Sequence, residues 1–331
     1  MAEVISHPIF DLPKKPISFA KLREYYIHLK DFNIHSFTSL NLEKKTQVHM
    51  ALPIVFSFMM DKYNLLPTLE EDVEILERFC FKIEEGYNDC PYHNSCHAAD
   101  VLWNLSCYID KCDLVNVLNL TKLDLFGLCV AAMCHDYMHP GTNNAFIVNA
   151  KMDLAFEYND VSVLENMHAS KSLSLTRDPK YNIWRRFIPN DQKTIRKLMI
   201  AIILGSDNAK HEILINTVKQ IKTQISFTAL QKQDILNLLF HSCDIGHVCK
   251  DYDITYEWAS RVYKEFYLQG LKEEALGIPV TNKCTDKMNP KIQATFIQSF
   301  YMPTLDALEL VIPTIGFAKA QVQSNIQQLL S

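Results

Sequence analysis

Tyr92-His93-Asn94-Ser95-Cys96-His97-Ala98-Ala99-Asp100-Val101 and, further along, Cys134-His135-Asp136-Tyr137-Met138-His139-Pro140-Gly141 decide how this chain is read. Each segment carries two histidines four apart, His93/His97 and His135/His139. In a helix that spacing sets both rings on one face. Asp136 directly follows His135. If the two segments pack together, four imidazoles and a carboxylate point into one space. That arrangement is costly in an apolar core and useful around a metal ion.

The neighbouring sequence is helical in pattern. Thr121-Lys122-Leu123-Asp124 reads as a capping box opening an apolar helix from about Leu123 to Cys134, buried and delivering His135-Asp136 at its C-terminal end. Pro140-Gly141 stops any continuation. Further helices are expected over Ala20–Lys30, Leu42–Met60, Thr68–Glu84 (Thr68-Leu69-Glu70-Glu71 as a capping box) and from Tyr92 to about Tyr108. Others follow: Val161–Ser172, capped by Asn159-Asp160, then Pro189–Leu204 and His211 to about Lys222. A helix from Thr228-Ala229-Leu230-Gln231 delivers His241, Asp244 and His247 at spacings of three. Asp253–Gln269 is amphipathic and expected to stop at Gly270, before a long mobile loop over Leu271–Asn289. Pro290 opens a helix with Gln293, Phe296 and Phe300, and two more close the chain.

Composition agrees with an all-α fold. The 331 residues contain only eight glycines, about a third of average usage. There is no GxGxxG or Walker loop. Hydrophobic residues make up 48% and charged residues 21%, with a formal net charge of −5, which disfavours a broad nucleic-acid surface. The ten cysteines form no CxxC pair and read as small buried apolar residues of a reducing compartment. No signal-like h-region and no apolar run of about 20 residues is present, so a cytoplasmic protein without a membrane span is expected. Residues 1–45 are expected as a lead-in packed on the core, irregular over residues 1–20, and 46–331 as one catalytic domain.

Eight of the twelve histidines lie between His93 and His247. The set His97, His135, Asp136 and Asp244 offers two imidazoles and two carboxylates, which suits Zn²⁺ with water completing the shell. Asp136 has a second oxygen to bridge to a harder ion, Mg²⁺ (or Mn²⁺). Two ions about 3.5–4 Å apart generate hydroxide at neutral pH, a nucleophile suited to a phosphoester. His93 needs no metal bond and is available to protonate a leaving alkoxide. His135-Asp136-Tyr137-Met138-His139 superficially resembles HExxH, but Asp in place of Glu, the following Pro-Gly and the distant Asp244 argue against a protease.

Tyr92-His93-Asn94-x-x-His97-Ala98-Ala99-Asp100-Val101, His135-Asp136-x-x-His139-Pro140-Gly141, Leu164-Glu165-Asn166 and Asp244 stand in one order and spacing. Together they resemble the class I 3′,5′-cyclic nucleotide phosphodiesterase catalytic domain, a branch of the HD-domain metal phosphohydrolases, over about residues 50–310. The resemblance implies a compact multi-helix domain with a deep, metal-bottomed pocket. It implies His97, His135, Asp136 and Asp244 as zinc ligands, Asp136 bridging to magnesium, and His93 as general acid for O3′. His139 and Glu165 look like groups that order metal-bound waters. Gln293 aligns with the purine-recognising glutamine, Phe296 with the stacking aromatic, and Val262 and Phe266 with the opposite clamp. Tyr92 and His247 complete the expected substrate-binding set.

Some positions depart from the family pattern. Met167 replaces the first of two histidines after Glu-Asn, and Ser206-Asp207 replaces Thr-Asp. Gly246 is expected to loosen the turn after Asp244, Val248 stands for a proline, and Thr255 stands where a tyrosine fixes the glutamine in some cAMP-specific members. The implied reaction is hydrolysis of a 3′,5′-cyclic nucleotide, cAMP ahead of cGMP, to the 5′-monophosphate by metal-bridged hydroxide, ending a cyclic-nucleotide signal. Another HD-type hydrolase such as a nucleotidase, or a silent nucleotide sensor, are the alternatives. A regulatory domain or homo-oligomer is not visible in the sequence.

Overall fold

The computed structural model describes residues 17–30, 32–221 and 226–331, and among them every regular element is helical. The expected irregular N-terminus lies outside the described residues as far as residue 16, and so does the expected helix end at Lys222. The principal helices are α1 (Ser39–Thr46), α2 (Ala51–Lys62), α3 (Glu70–Gly86), α4 (Ser95–Lys111), α5 (Lys122–Cys134), α6 (Val163–Leu175) and α7 (Pro189–Gly205). They continue with α8 (His211–Lys219), α9 (Ala229–Asp244), α10 (Tyr252–Leu276), α11 (Pro290–Phe296), α12 (Met302–Glu309) and α13 (Phe317–Leu330).

At the centre is α5. Thr121 caps it by accepting from the Asp124 N–H, and the Asp124 carboxylate accepts in return from the Thr121 N–H. Every residue from Leu125 to Cys134 is buried. At about 1.5–3 kcal/mol for each large apolar side chain withdrawn from water, this helix is held by burial and not by its surface. It packs on α7, α4 and α2, and one hydrophobic cluster runs from Phe19 to Leu329. Phe19, Leu22, Leu29 and Phe37 belong to that cluster, so the described part of the lead-in shares the core of the rest.

Several expected boundaries move, each for a local reason. Leu42–Met60 is two helices, because Gln47 takes a left-handed conformation (φ 56°) and closes α1. Pro53 then sits in the first turn of α2, where its missing N–H costs no helical bond. Thr68 does not cap α3; Leu69 stands at the N-cap, and Glu70, Glu71 and Asp72 complement the helix dipole. α6 starts after Ser162 and not after an Asn159-Asp160 cap, because the chain makes left-handed turns at Asn159, Asp160 and again at Ser162 before the helix begins. α10 passes through Gly270 and ends at Gly277, whose φ of 66° closes the helix. The loop beyond is tied down early, as Glu273 accepts from the Thr281 N–H at 2.8 Å and hydroxyl at 2.6 Å.

Candidate metal centre

Asn94 is the N-cap of α4, and its side chain accepts from the His97 N–H at 3.2 Å. Tyr92 and His93 therefore precede the helix, and His93 and His97 do not share a helical face as the spacing predicted. The second pair is not helical either. His135 is the C-cap of α5, and residues 135–138 form a turn in which Met138 is left-handed (φ 65°) and the His139 N–H donates to the Asp136 carbonyl. Helix ends, not helix faces, bring the rings together.

His97 at the start of α4, His135-Asp136 after α5 and Asp244 at the end of α9 offer donor atoms that all lie within 4.8 Å of one another. His97 Nε2 is 2.9 Å from Asp244 Oδ1, 3.4 Å from Asp136 Oδ2 and 3.3 Å from His135 Nε2. His135 Nε2 is 3.2 Å from both Asp136 Oδ2 and Asp244 Oδ1. His135 Nδ1 faces the Ala132 carbonyl at 2.9 Å. In the neutral ring that bond places the proton on Nδ1 and leaves Nε2 with the lone pair a metal needs. Burial raises the Asp136 and Asp244 carboxyls, but His135 and His97 more than offset it and hold both well below the usual range. His135 moves the other way: burial lowers it, yet Asp136 and Asp244 carry it well above an ordinary histidine. A buried cluster that collects positive charge and turns imidazole lone pairs inward fits a divalent cation.

A row of three rings flanks the cluster. His93 stacks on His139 (3.9 Å, 18°), and His139 on His168 (5.5 Å, 20°). His139 Nδ1 accepts from the Gly141 N–H at 3.1 Å, and burial together with His93 holds the ring well below its ordinary value. His168 Nδ1 meets the Tyr137 carbonyl at 2.7 Å, turning Nε2 to 3.7 Å from Asp136 Oδ1. Met167 joins Phe146, Ile147 and Leu164 in a separate apolar cluster, so the departure at 167 falls on a face that needs no ligand. Glu165 accepts from Asn144 Nδ2 at 2.9 and 3.2 Å, and burial with Asp207 nearby pushes it up to about 7.

Glu265 on α10 and His168 are the site residues that sequence reasoning left without a role. Glu265 is buried and accepts from the backbone N–H groups of Tyr92 (3.0 Å) and His93 (3.1 Å). Its other oxygen hydrogen-bonds His93 Nδ1. Burial alone would lower His93, but Glu265, with Asp136 and Asp244 behind it, raises it to about 9. The available signal was a carboxylate within the buried stripe of α10, between Tyr263 and Gln269.

The expected base-binding residues are less tightly drawn together. The Tyr92 hydroxyl pairs with His247 Nδ1 at 3.2 Å, and burial with His97 nearby keeps His247 neutral at about 3. Val262 packs on the small cluster of Leu40, Tyr92 and Trp258, while Phe296 packs on the main core. Phe266 is half-buried on α10, and Gln293 is buried on α11. Gly246 does not loosen the turn after Asp244. A Cβ there would meet Asn104 Nδ2 at 2.7 Å, and that amide donates to the Cys243 carbonyl at 3.0 Å. The buried Lys250 Nζ reaches Asn104 Oδ1 at 2.5 Å, and Asn325 Nδ2 donates to the Val248 and Lys250 carbonyls. Ser206 turns its hydroxyl to the Ile203 carbonyl. All ten cysteines are free thiols, and no described helix is long and apolar enough to cross a membrane.

A family model described as 3′5′-cyclic nucleotide phosphodiesterase matches residues 92–322. The chain is 34% identical over 269 residues to the dual specificity calcium/calmodulin-dependent 3′,5′-cyclic nucleotide phosphodiesterase 1 of Drosophila melanogaster, covering 78% of this chain and 32% of that protein. It is 32% identical over 284 residues to the human protein of that description designated 1B, covering 85% and 52%. The chain thus spans a third to about half the length of these relatives. The phosphodiesterase domain of the Salpingoeca rosetta rhodopsin phosphodiesterase shares the fold, with a TM-score of 0.78 at 23% identity over 89% of this chain and 90% of that one.

Proposed function

Because the chain belongs to the 3′,5′-cyclic nucleotide phosphodiesterase family, we propose that it hydrolyses 3′,5′-cyclic nucleotides to 5′-monophosphates, cAMP somewhat ahead of cGMP. The observation that carries the reading is the convergence of His97, His135, Asp136 and Asp244, with the Glu265-backed His93 beside them. These ligands would hold Zn²⁺, with Asp136 shared by Mg²⁺ or Mn²⁺; when bound, such ions activate water and neutralise phosphoryl charge.

The chain's own residues do the rest. His93 Nδ1 is engaged by Glu265, so the proton that it can give away is on Nε2. Its raised value keeps that proton in place at neutral pH, ready for O3′ as the ester bond breaks. His139 and His168, held neutral beside Asp136, and Glu165 would orient waters around the ions. Tyr92 and His247 would border the substrate, and Phe296, Val262 and Phe266 would take the faces of the base.

Gln293 would hydrogen-bond the purine edge. Among the described residues no hydrogen bond fixes its side-chain amide. The Thr255 hydroxyl, at the position where tyrosine helps elsewhere in the family, donates instead to the His247 and Lys250 carbonyls at 2.9 and 3.1 Å. An amide free to reverse can meet either purine, which keeps the proposed cAMP preference small. Hydrolysis of cAMP and cGMP, measured side by side with Mg²⁺ and after chelation, tests the reading. Metal-dependent turnover with a kcat/KM ratio moderately above one for cAMP is expected. No turnover of either by zinc-loaded protein would overturn it in favour of a nucleotidase or a silent sensor.

A further inference from the structure

Behind Phe296 stands a column of aromatic rings that reaches the interior. Phe296 stacks on Phe300 (5.0 Å, 20°), and Phe300 lies nearly parallel to His211 (3.4 Å, 7°). His211 Nδ1 meets His241 Nε2 at 3.0 Å. The column draws on three elements: His211 opens α8, His241 is on α9, and Phe300 is in a single π-helical turn, Ile297–Tyr301, that follows α11. Such turns re-aim side chains and recur at functional sites.

The inner end is expensive to build. His211 and His241 are 5% and 0% exposed, and His241 Nδ1 is buried with no partner. Two apolar side chains would fill the volume without an orphaned nitrogen. A histidine pair adds a directional bond that fixes the plane of the His211 ring, which a phenyl or leucyl contact does not. That plane is copied outward through Phe300. Phe296 is half-buried at the outer end of the column, with Phe300 stacked on one face.

We propose that His211, locked by His241, is a positioning residue that sets the plane of Phe296 on which the purine base stacks, and so tunes substrate affinity without touching substrate. This rests on the base-binding role given to Phe296 above. The test compares His211→Ala, His211→Phe and the unaltered protein on cAMP, on cGMP and on ribose 3′,5′-cyclic phosphate, which lacks the base. His211→Ala is expected to raise KM for both nucleotides roughly 3- to 10-fold, the range carried by one ring pair, with kcat and zinc content preserved. Turnover of the base-free substrate is expected to stay unchanged. His211→Phe is expected to recover part of the loss, since it keeps the stack and loses the lock, and it supplies the comparison if the alanine variant does not fold.

Equal KM values in all three proteins would overturn the proposal. So would a parallel loss on the base-free substrate, which marks a general structural role. If the unaltered protein hydrolyses the base-free diester but neither nucleotide, the cyclic-nucleotide reading itself falls, and the proposal with it.

Discussion

The proposed metal end and the proposed base end of this site are built by different means. At the metal end, His97, His135, Asp136 and Asp244 come from three helix termini and are cross-linked by contacts of 2.9–3.4 Å, with His93 held by Glu265. At the base end, Phe296 and Val262 belong to separate packing clusters, and Gln293 is a buried amide on a short helix. Charged groups in a dry interior need partners in fixed directions, so their arrangement is over-determined. Apolar walls need only shape, and many side chains supply it. The metal end should therefore fail abruptly under substitution and the base end gradually.

Asp244→Ala is the largest test of that contrast. It should abolish zinc binding, read by metal analysis, and lower hydrolysis by roughly a thousandfold or more, given several kcal/mol from the ions at about 1.4 kcal/mol per tenfold. Full zinc occupancy in the variant would remove Asp244 from the ligand set. His93→Ala should keep its zinc and lose about 10²–10⁴ in kcat. Unchanged turnover would make His93 a bystander.

Glu265→Gln separates the proton's holder from its donor. His93 is held protonated up to about pH 9, where its ordinary value is 6.5. The His93–Glu265 bond thus contributes fully below about pH 6.5 and is lost as pH rises through about 9. In the glutamine variant the alkaline fall of kcat should move down toward neutral pH; an unshifted pH–rate profile would show that Glu265 does not set that proton. At the base end, Gln293→Ala should raise KM about tenfold for cAMP and cGMP while kcat falls little. A loss as steep as that of His93→Ala would erase the distinction between the two ends.

What could be read in advance follows the same division. The four residues expected as ligands stood out because histidines and carboxylates in apolar surroundings are unusual, and the capping box expected at Thr121 forms while the one expected at Thr68 does not. The geometry was misjudged where local spacing was taken as helical: His93 precedes α4, and His139 follows a left-handed Met138. The break at Gln47 had only Pro53 to announce it, and Gly270 lies inside a helix that continues to Leu276. Glu265 escaped notice because its partner His93 is 172 residues away, and no local pattern encodes so distant a pairing.

Gly246 has no side chain to offer, yet it sits behind the proposed ligands like the pivot of a pair of callipers. Its bare backbone lets Asn104 of the His97-bearing helix lie against the turn that follows Asp244, with the amide on the Cys243 carbonyl and Lys250 on its oxygen. That contact ties the helix carrying His97 to the turn after Asp244. With ions bound as proposed, the ionic radius that this site accepts would therefore be set in part by a residue that contributes no ligand.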